Sequence, residues 1–547
     1  MKLTVNAVPV ECEAGSTYLD LLRDAGLAEG ALGVSVKGAT YSLLSPAAEG
    51  AEAHILTWAY EEGKRIYERS AQYVALCAAK RVLPDVTIRV EYALGDALCL
   101  YSVSGAITAA QVAAIRKEMR AIIDADLPIT RSDSTKAEAV RYFQKTGQED
   151  KVQLMRYRSH EHFTFYSMDG RLEYFYGEMA PSAGYVKAID LKYFYPGMAL
   201  VLPDKKDVNR TADFHDQPKL MHTFLQSAKW NYILKAANAS DLNDMIVNHR
   251  LREFIRINEA LHERGVQRIA DQFAQSGARV ILIAGPSSSG KTTFSHRLLI
   301  ALRVLGYHPV KLSLDDYYIN RDLVPLEADG TRDLERIDIL DLALLNEHLP
   351  RLLEGETIQA PEYDFVSGKR KAETHPMTVG ENQPIIIEGI HGLNDELTSA
   401  VPRELKFKIY LSALNTLNLD NHNRIRTTDA RLLRRIVRDY LFRGTPPEET
   451  MLGWDSVRRG EEKYIFPYQE QADAMFNTTL AYELPIMKKY VYPILKAVSV
   501  ESPCYTLAMR LVKFLDYFRT ADVEDEIPVN SILREFIGGC CFYRDED

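Results

Sequence analysis

The chain has 547 residues, 46% hydrophobic and 26% charged, an ordinary globular composition with length for about three or four domains. A net charge of −10 argues against a general nucleic-acid coat, and no apolar run approaches the length of a membrane helix. The six cysteines, Cys12, Cys77, Cys99, Cys504, Cys540 and Cys541, show no metal spacing, and Met1 to Ala7 lacks the apolar stretch of a secretory leader, so a cytoplasmic protein with reduced thiols is expected.

In chain order, residues 1–60 read as a small β-rich unit. Leu3, Val5 and Ala7 alternate, Asn6 to Pro9 turns the chain, and Ser16 is placed to cap a helix using Leu19, Leu22 and Ala25. Gly33 to Ser42 and His54 to Trp58 follow as short strands, which predicts a β-grasp arrangement. Residues 65–225 read as α+β: helices over Ser70 to Arg81 and Ala109 to Ala125, and strands over Thr87 to Tyr92, Phe163 to Tyr166 and Leu172 to Tyr176. A helical stretch over 240–276 leads into α/β patterning to about residue 480. Residues 481–547 read as a helical extension broken at Ile527-Pro528.

These N-terminal units resemble parts of threonyl-tRNA synthetase: residues 1–60 the TGS domain, and 65–225 the second additional domain that carries editing in that family. The family's editing motif H-S-x-x-H stands here as Arg69-Ser70-Ala71-Gln72-Tyr73, and its C-x-x-x-H has no counterpart near Tyr193 to Gly197. The ligands are gone, so no metal role is carried over. His160, His162, His215 and His222 lie elsewhere and read as solvated or core residues. The resemblance implies a retired editing module kept for binding, regulation or assembly.

Gly285-Pro286-Ser287-Ser288-Ser289-Gly290-Lys291-Thr292 is a full G-x-x-x-x-G-K-[ST] phosphate loop, with Thr293 counted beside it. Arg279 to Ala284 precedes it as a strand, and Phe294, Leu298, Leu302 and Leu305 follow at helical spacing. Loop N–H groups and the helix N-terminus converge on phosphate oxygens, Lys291 reaches the outer phosphates, and the Thr292 hydroxyl holds Mg²⁺. The strand Pro309 to Leu314 ends in Asp315, on the sheet edge where α/β folds bind ligands, which makes Asp315 the candidate base. Glu388 closes the strand Pro384 to Ile387 as a second metal-holding group. Arg431, Arg434, Arg435 and Arg438 share about a 100° arc of a helix that ends at Arg443-Gly444. Leu432, Leu433, Ile436, Val437, Tyr440 and Leu441 take the other side, so the basic face is expected to be a lid over the phosphates.

Residues 279 to about 480 resemble the uridine kinase and phosphoribulokinase family. The motifs are the phosphate loop, Asp315-Asp316-Tyr317-Tyr318, Pro361-Glu362-Tyr363-Asp364-Phe365, Glu388-Gly389-Ile390 and Arg431-Leu432-Leu433-Arg434-Arg435, in order. The fold class expected is multidomain: an α/β P-loop kinase over 240–480, a parallel sheet with helices on both faces, preceded by the β-grasp and synthetase-like α+β domains. The resemblance implies an ATP- and Mg²⁺-dependent nucleoside kinase acting on a 5′-hydroxyl, of uridine, cytidine or a related pyrimidine nucleoside. Lys291, Asp315, Arg431 and Arg434 are its expected catalytic residues, Tyr318, Glu335, Tyr363 and Phe365 join Asp315 and Arg431 in binding substrate, and Thr292 and Glu388 hold the metal. Two positions depart. Glu335 stands for the family's ribose-binding aspartate, and Gly368 for a histidine that reads the pyrimidine, with Asp420, His422, Arg424 and Arg426 as candidate substitutes. Family kinases are often oligomeric, which sets a homo-oligomer as an expectation. The alternative is a nucleotide-dependent RNA- or ribosome-associated regulator binding nucleic acid through the N-terminal half.

Overall fold

The computed structural model describes residues 2–158, 161–326, 332–333, 335–364 and 367–543. In the first unit, five strands run in the order Val8–Glu11, Lys2–Val5, Glu52–Leu56, Gly33–Val36, Ala39–Ser42. Lys2–Val5 and Glu52–Leu56 pair in parallel, and the other pairs are antiparallel. The helix Tyr18–Asp24 buries Leu19 and Leu22 against Val5, Val34 and Ala53. Its cap is Thr17 and not Ser16, because Asp20, three residues on, returns a bond to the Thr17 N–H and completes a capping box.

The second unit packs Glu61–Val82 and Ala109–Asp124 on a four-stranded antiparallel sheet, beside a three-stranded sheet of Thr130–Thr135, His162–Met168 and Arg171–Glu173. The last strand stops short of the expected Tyr176, since Tyr174 turns into the core and its hydroxyl bonds that of Tyr517 at 2.5 Å. The stretch over 240–276 is two helices, Ala239–Val247 and Leu251–Ser276 (α1), parted where His249 takes φ +56°.

The third unit is a wholly parallel sheet of Val280–Ala284 (β1), Val310–Ser313 (β2), Ile385–Glu388 (β3), Lys406–Ser412 (β4) and Ala474–Asn477 (β5), in the order β2-β3-β1-β4-β5. Strands covered on both faces are apolar throughout rather than alternating, as β1 is. Ile281 and Ile283 face α1 and Lys291–Val304 (α2), while Val280 and Leu282 face Leu342–Leu353 (α3).

The C-terminal residues are not an appendage. Leu433 and Ile436 of Thr427–Phe442 (α4) share one core with Leu484 and Val491 of Glu483–Lys496 (α5), with Leu511 and Phe514, and with Phe143 and Phe165 of the second unit. Each such fully buried side chain contributes about 1.5–3 kcal/mol. Buried charges cross the same boundary. Asp429 lies between Arg65 at 2.9 Å and Arg510 at 2.8 Å. Lys151, wholly buried, pairs with Asp420 at 3.3 Å and Glu173 at 3.0 Å, and Glu173 also takes His422 at 2.9 Å. Arg424 and Arg426 both reach Glu68. Asp420, His422, Arg424 and Arg426 are therefore spent on the N-terminal half and do not supply the substitute base contacts expected of them. Among the described residues no helix is long and apolar enough to cross a membrane.

Burial raises the Asp429 carboxyl, but Arg510 and Arg65 outweigh it and hold the group well below the usual range. The group's contribution to stability is therefore full above the unfolded-state pKa and is lost as pH falls towards the folded one. Replacing Asp429 by Ala strands two guanidiniums and is expected to lower the unfolding free energy by about 3–5 kcal/mol. Thermal denaturation followed by circular dichroism measures this, and an unchanged midpoint would show the pair to be idle.

Candidate active site

The phosphate loop leaves β1 and enters α2 through backbone that few side chains tolerate. A Cβ on Gly285 would lie 2.1 Å from the Leu411 carbonyl oxygen, Gly290 has φ +80°, and Ser288 holds φ +57°. Two of the loop's hydroxyls are unspent: Ser288 Oγ and Ser289 Oγ are buried without a partner. Orphaned donors around a glycine-rich turn at a helix N-terminus fit phosphate oxygens. Lys291 curls back, donating to the carbonyls of Gly285 at 3.0 Å and Pro286 at 3.3 Å, and burial lowers its pKa.

Register brings the acids to the loop. Glu388 is level with Ile283 on β1 and with Ser313 on β2, so Asp315 follows two residues beyond, in the turn Leu314–Tyr317. Thr292 Oγ1 donates to Glu388 Oε1 at 2.8 Å, Ser295 Oγ to Oε2 at 3.2 Å, and Lys311 Nζ lies 3.4 Å from Oε2. A hydroxyl beside a carboxylate at the loop's end fits a hard divalent cation. Asp315 is exposed, yet desolvation by the groups packed around its carboxyl, then the charge of Glu388, raises it above the usual range, with a Tyr318 hydrogen bond pulling the other way. Tyr318 and Tyr363 meet edge to face, 5.7 Å between centroids, and the Tyr363 N–H donates to Asp316 Oδ1 at 3.2 Å. Glu335 packs close over Gly460, and its carboxyl is raised by burial and lowered in part by Lys291 and Arg435. Phe365 lies outside the described residues, as does His160. Gly368 closes a hairpin at φ +69°, where a Cβ would come 3.2 Å from Arg321.

The arginine helix differs from its expectation. Arg431 and Arg434 are 1% and 0% exposed. They do not lie over the phosphates as a lid, but grip the loop from behind. Arg431 Nε donates to the Ser287 carbonyl at 2.9 Å and its other end pairs with Glu461. Arg434 reaches the carbonyls of Ser288 at 3.4 Å and Thr478 at 2.8 Å and pairs with Glu483. Only Arg435 and Arg438 keep partial exposure, and Arg435 Nη1 donates to Ser287 Oγ at 3.0 Å. The far side is split too: Leu432, Leu433, Ile436 and Val437 are buried, while Tyr440 and Leu441 are exposed.

Sequence reasoning missed three glutamates that touch this site. Glu461 also accepts from the Ser287 N–H at 3.1 Å, Glu483 neutralises Arg434, and Glu535 accepts from the Thr293 hydroxyl at 2.7 Å. For Glu461 and Glu483 the signal was a buried arginine, which demands a buried acid; Glu535 offered none.

Residues 280–483 match the Phosphoribulokinase / Uridine kinase family. A uridine kinase of Deinococcus deserti is 30% identical over 198 residues, covering 36% of this chain and 86% of that protein. One of Bacillus pumilus is 31% identical over 195 residues, covering 36% and 83%. A threonine–tRNA ligase of Desulforamulus reducens is 33% identical over 148 residues, 26% of this chain, and the match spans 23% of the ligase.

Replacing Glu483 by Ala leaves Arg434 charged and unpaired behind the loop. The expected loss is about 3–5 kcal/mol of stability, read as a lowered melting temperature. Melting like the parent would remove Glu483 from the support of the loop.

Proposed function

We propose that this chain, which belongs to the phosphoribulokinase / uridine kinase family, is an ATP-dependent kinase that phosphorylates the 5′-hydroxyl of a nucleoside, with uridine, cytidine and related pyrimidine nucleosides as the substrate class. The observation that supports the reading is the register of β2, β3 and β1: Glu388 is level with Ser313 and Ile283 and bonded to Thr292, and Asp315 follows Ser313 by two residues on the same sheet edge. The loop amides, Ser288 and Ser289 bind the phosphates, and Lys291 swings from its carbonyls to their outer oxygens. Thr292 and Glu388 would hold Mg²⁺, which neutralises charge on the phosphate oxygens when bound.

Asp315 takes the proton of the acceptor hydroxyl as that oxygen bonds to the γ-phosphorus and ADP departs. A raised carboxyl is the better acceptor, and the Tyr318 bond pulls back towards the charged form. Tyr318 and Tyr363 form a wall against a planar base, and Glu335 is placed for sugar hydroxyls. Arg431 and Arg434 act through the loop they grip, and Arg435 and Arg438 present charge to the transferring group.

The likeness to a threonine–tRNA ligase favours a second reading, a nucleotide-dependent RNA-associated regulator. A panel of nucleosides with labelled ATP separates the two. A nucleoside 5′-monophosphate is expected; ATP hydrolysis stimulated by RNA, with no phosphorylated small molecule, would favour the regulator.

Asp315→Asn is expected to lower kcat at least about 100-fold while ATP binding persists. In the parent, kcat should fall as pH drops through the raised Asp315 pKa. Tyr318→Phe removes a bond that lowers that pKa and so moves the limb to higher pH. A limb unmoved in Tyr318→Phe would take Tyr318 out of this role.

A further inference from the structure

The C-terminal segment returns to the phosphate loop after leaving the shared core. Its path is fixed at several points. Arg252 and Arg256 of α1 pair with Asp525 at 2.6 Å and Glu526 at 2.5 Å. Ser531 Oγ donates to the buried Glu259 at 2.6 Å. Ile532 then comes so close that a Cβ on Gly290 would sit 2.6 Å from its Cγ2. Phe536 lies under the Arg434 guanidinium at 5.0 Å, and Phe542 stacks on His296 of α2, 5.0 Å between centroids and 11° from parallel.

Glu535 carries the chemistry. One of its oxygens accepts from both the Thr293 backbone N–H, at 3.3 Å, and the Thr293 hydroxyl, at 2.7 Å, while Tyr543 OH stands 3.4 Å from the same hydroxyl. Thr293 lies in the first turn of α2, where N–H groups have no partner within the helix and the macrodipole favours an anion. Those donors are the kind a nucleotide phosphate takes. A carboxylate and a phosphate cannot share them, and in low-dielectric surroundings two anions there repel. Unlike Glu461 and Glu483, Glu535 has no arginine paired to it among the described residues.

We propose that Glu535 is a built-in anion occupying a phosphate position of the nucleotide, so that the segment from Ile527 to Tyr543 is a clasp that ATP must displace. The proposal rests on the ATP-site reading above. The clasp sets nucleotide affinity and joins it to the C-terminal core, because the chain that holds Glu535 is anchored on α1 and on Arg434.

The test measures the ATP·Mg²⁺ dissociation constant of the full chain by calorimetry, for the parent, Lys291→Ala and Glu535→Gln. Glutamine keeps an acceptor but removes the charge, and the expected result is about three- to tenfold tighter binding. A parent that binds ATP through Lys291, with a Glu535→Gln variant no tighter, overturns the clasp alone. A parent that does not bind ATP overturns the ATP-site reading and the clasp with it. Hydrogen exchange on the unmutated chain gives an independent arm. Peptides over 527–543 are expected to exchange faster with ATP·Mg²⁺ than without, and unchanged or slower exchange overturns displacement.

Discussion

Two guanidiniums behind a loop hold this site in shape. A phosphate loop turns its N–H groups inward, so its carbonyls point outward and need donors of their own. Here Arg431 takes the Ser287 carbonyl, Arg434 takes that of Ser288, and Lys291 takes those of Gly285 and Pro286. Neither arginine could be buried alone, since an unpaired charge in the interior costs several kcal/mol. Glu461 and Glu483 neutralise them, and Trp454 lies against Arg431 at 5.3 Å. The loop's backbone therefore depends on two ion pairs that a nucleotide need not touch.

The same helix ties the site to the rest of the chain. Asp429, in the first turn of α4, binds Arg65 of the second unit and Arg510 of the C-terminal helices, and Arg431 grips the loop two residues later. Two residues of helix span about 3 Å. A shift of the N-terminal half that moves Asp429 thus moves the loop's support directly, through one rigid element. The segment Asn415 to Arg426 adds to this, since its charged side chains end on Lys151, Glu173 and Glu68. These contacts are many and mostly buried, unlike those of a loosely tethered module.

Much of the kinase unit was legible in the sequence because its signals are local. A run such as Val280 to Ala284 followed by a glycine loop specifies strand and turn together, and the strand ends at Ser313 and Glu388 fix where Asp315 must stand. What was not legible depends on which surfaces meet. Helical spacing put Arg431, Arg434, Arg435 and Arg438 on one face but could not say that acids from residues 461 and 483 would cover half of it. Asp420 and His422 looked available because their partners lie about 250 to 270 residues earlier. Glu535 carried no motif at all; only the folded chain brings it to Thr293. The break at His249 was hidden for the opposite reason, since a single left-handed residue leaves the apolar periodicity on either side intact.

Around Asp315 and Lys291 one crowding effect acts on two groups. Burial lowers the Lys291 ammonium and raises the Asp315 carboxyl, so both move towards neutrality for the same physical reason. Glu388 raises Asp315 further. Left unopposed, these effects would move the Asp315 carboxyl further towards its neutral form. Tyr318 opposes them by donating its hydroxyl to Asp315, and the same ring, edge to face with Tyr363, builds the aromatic wall. The ring that packs against Tyr363 is thus the one that pulls the Asp315 carboxyl back towards its charged form. Any group that docked against Tyr318 would therefore act on Asp315 in two opposed ways, strengthening this bond as the local dielectric falls and desolvating the carboxylate it stabilises.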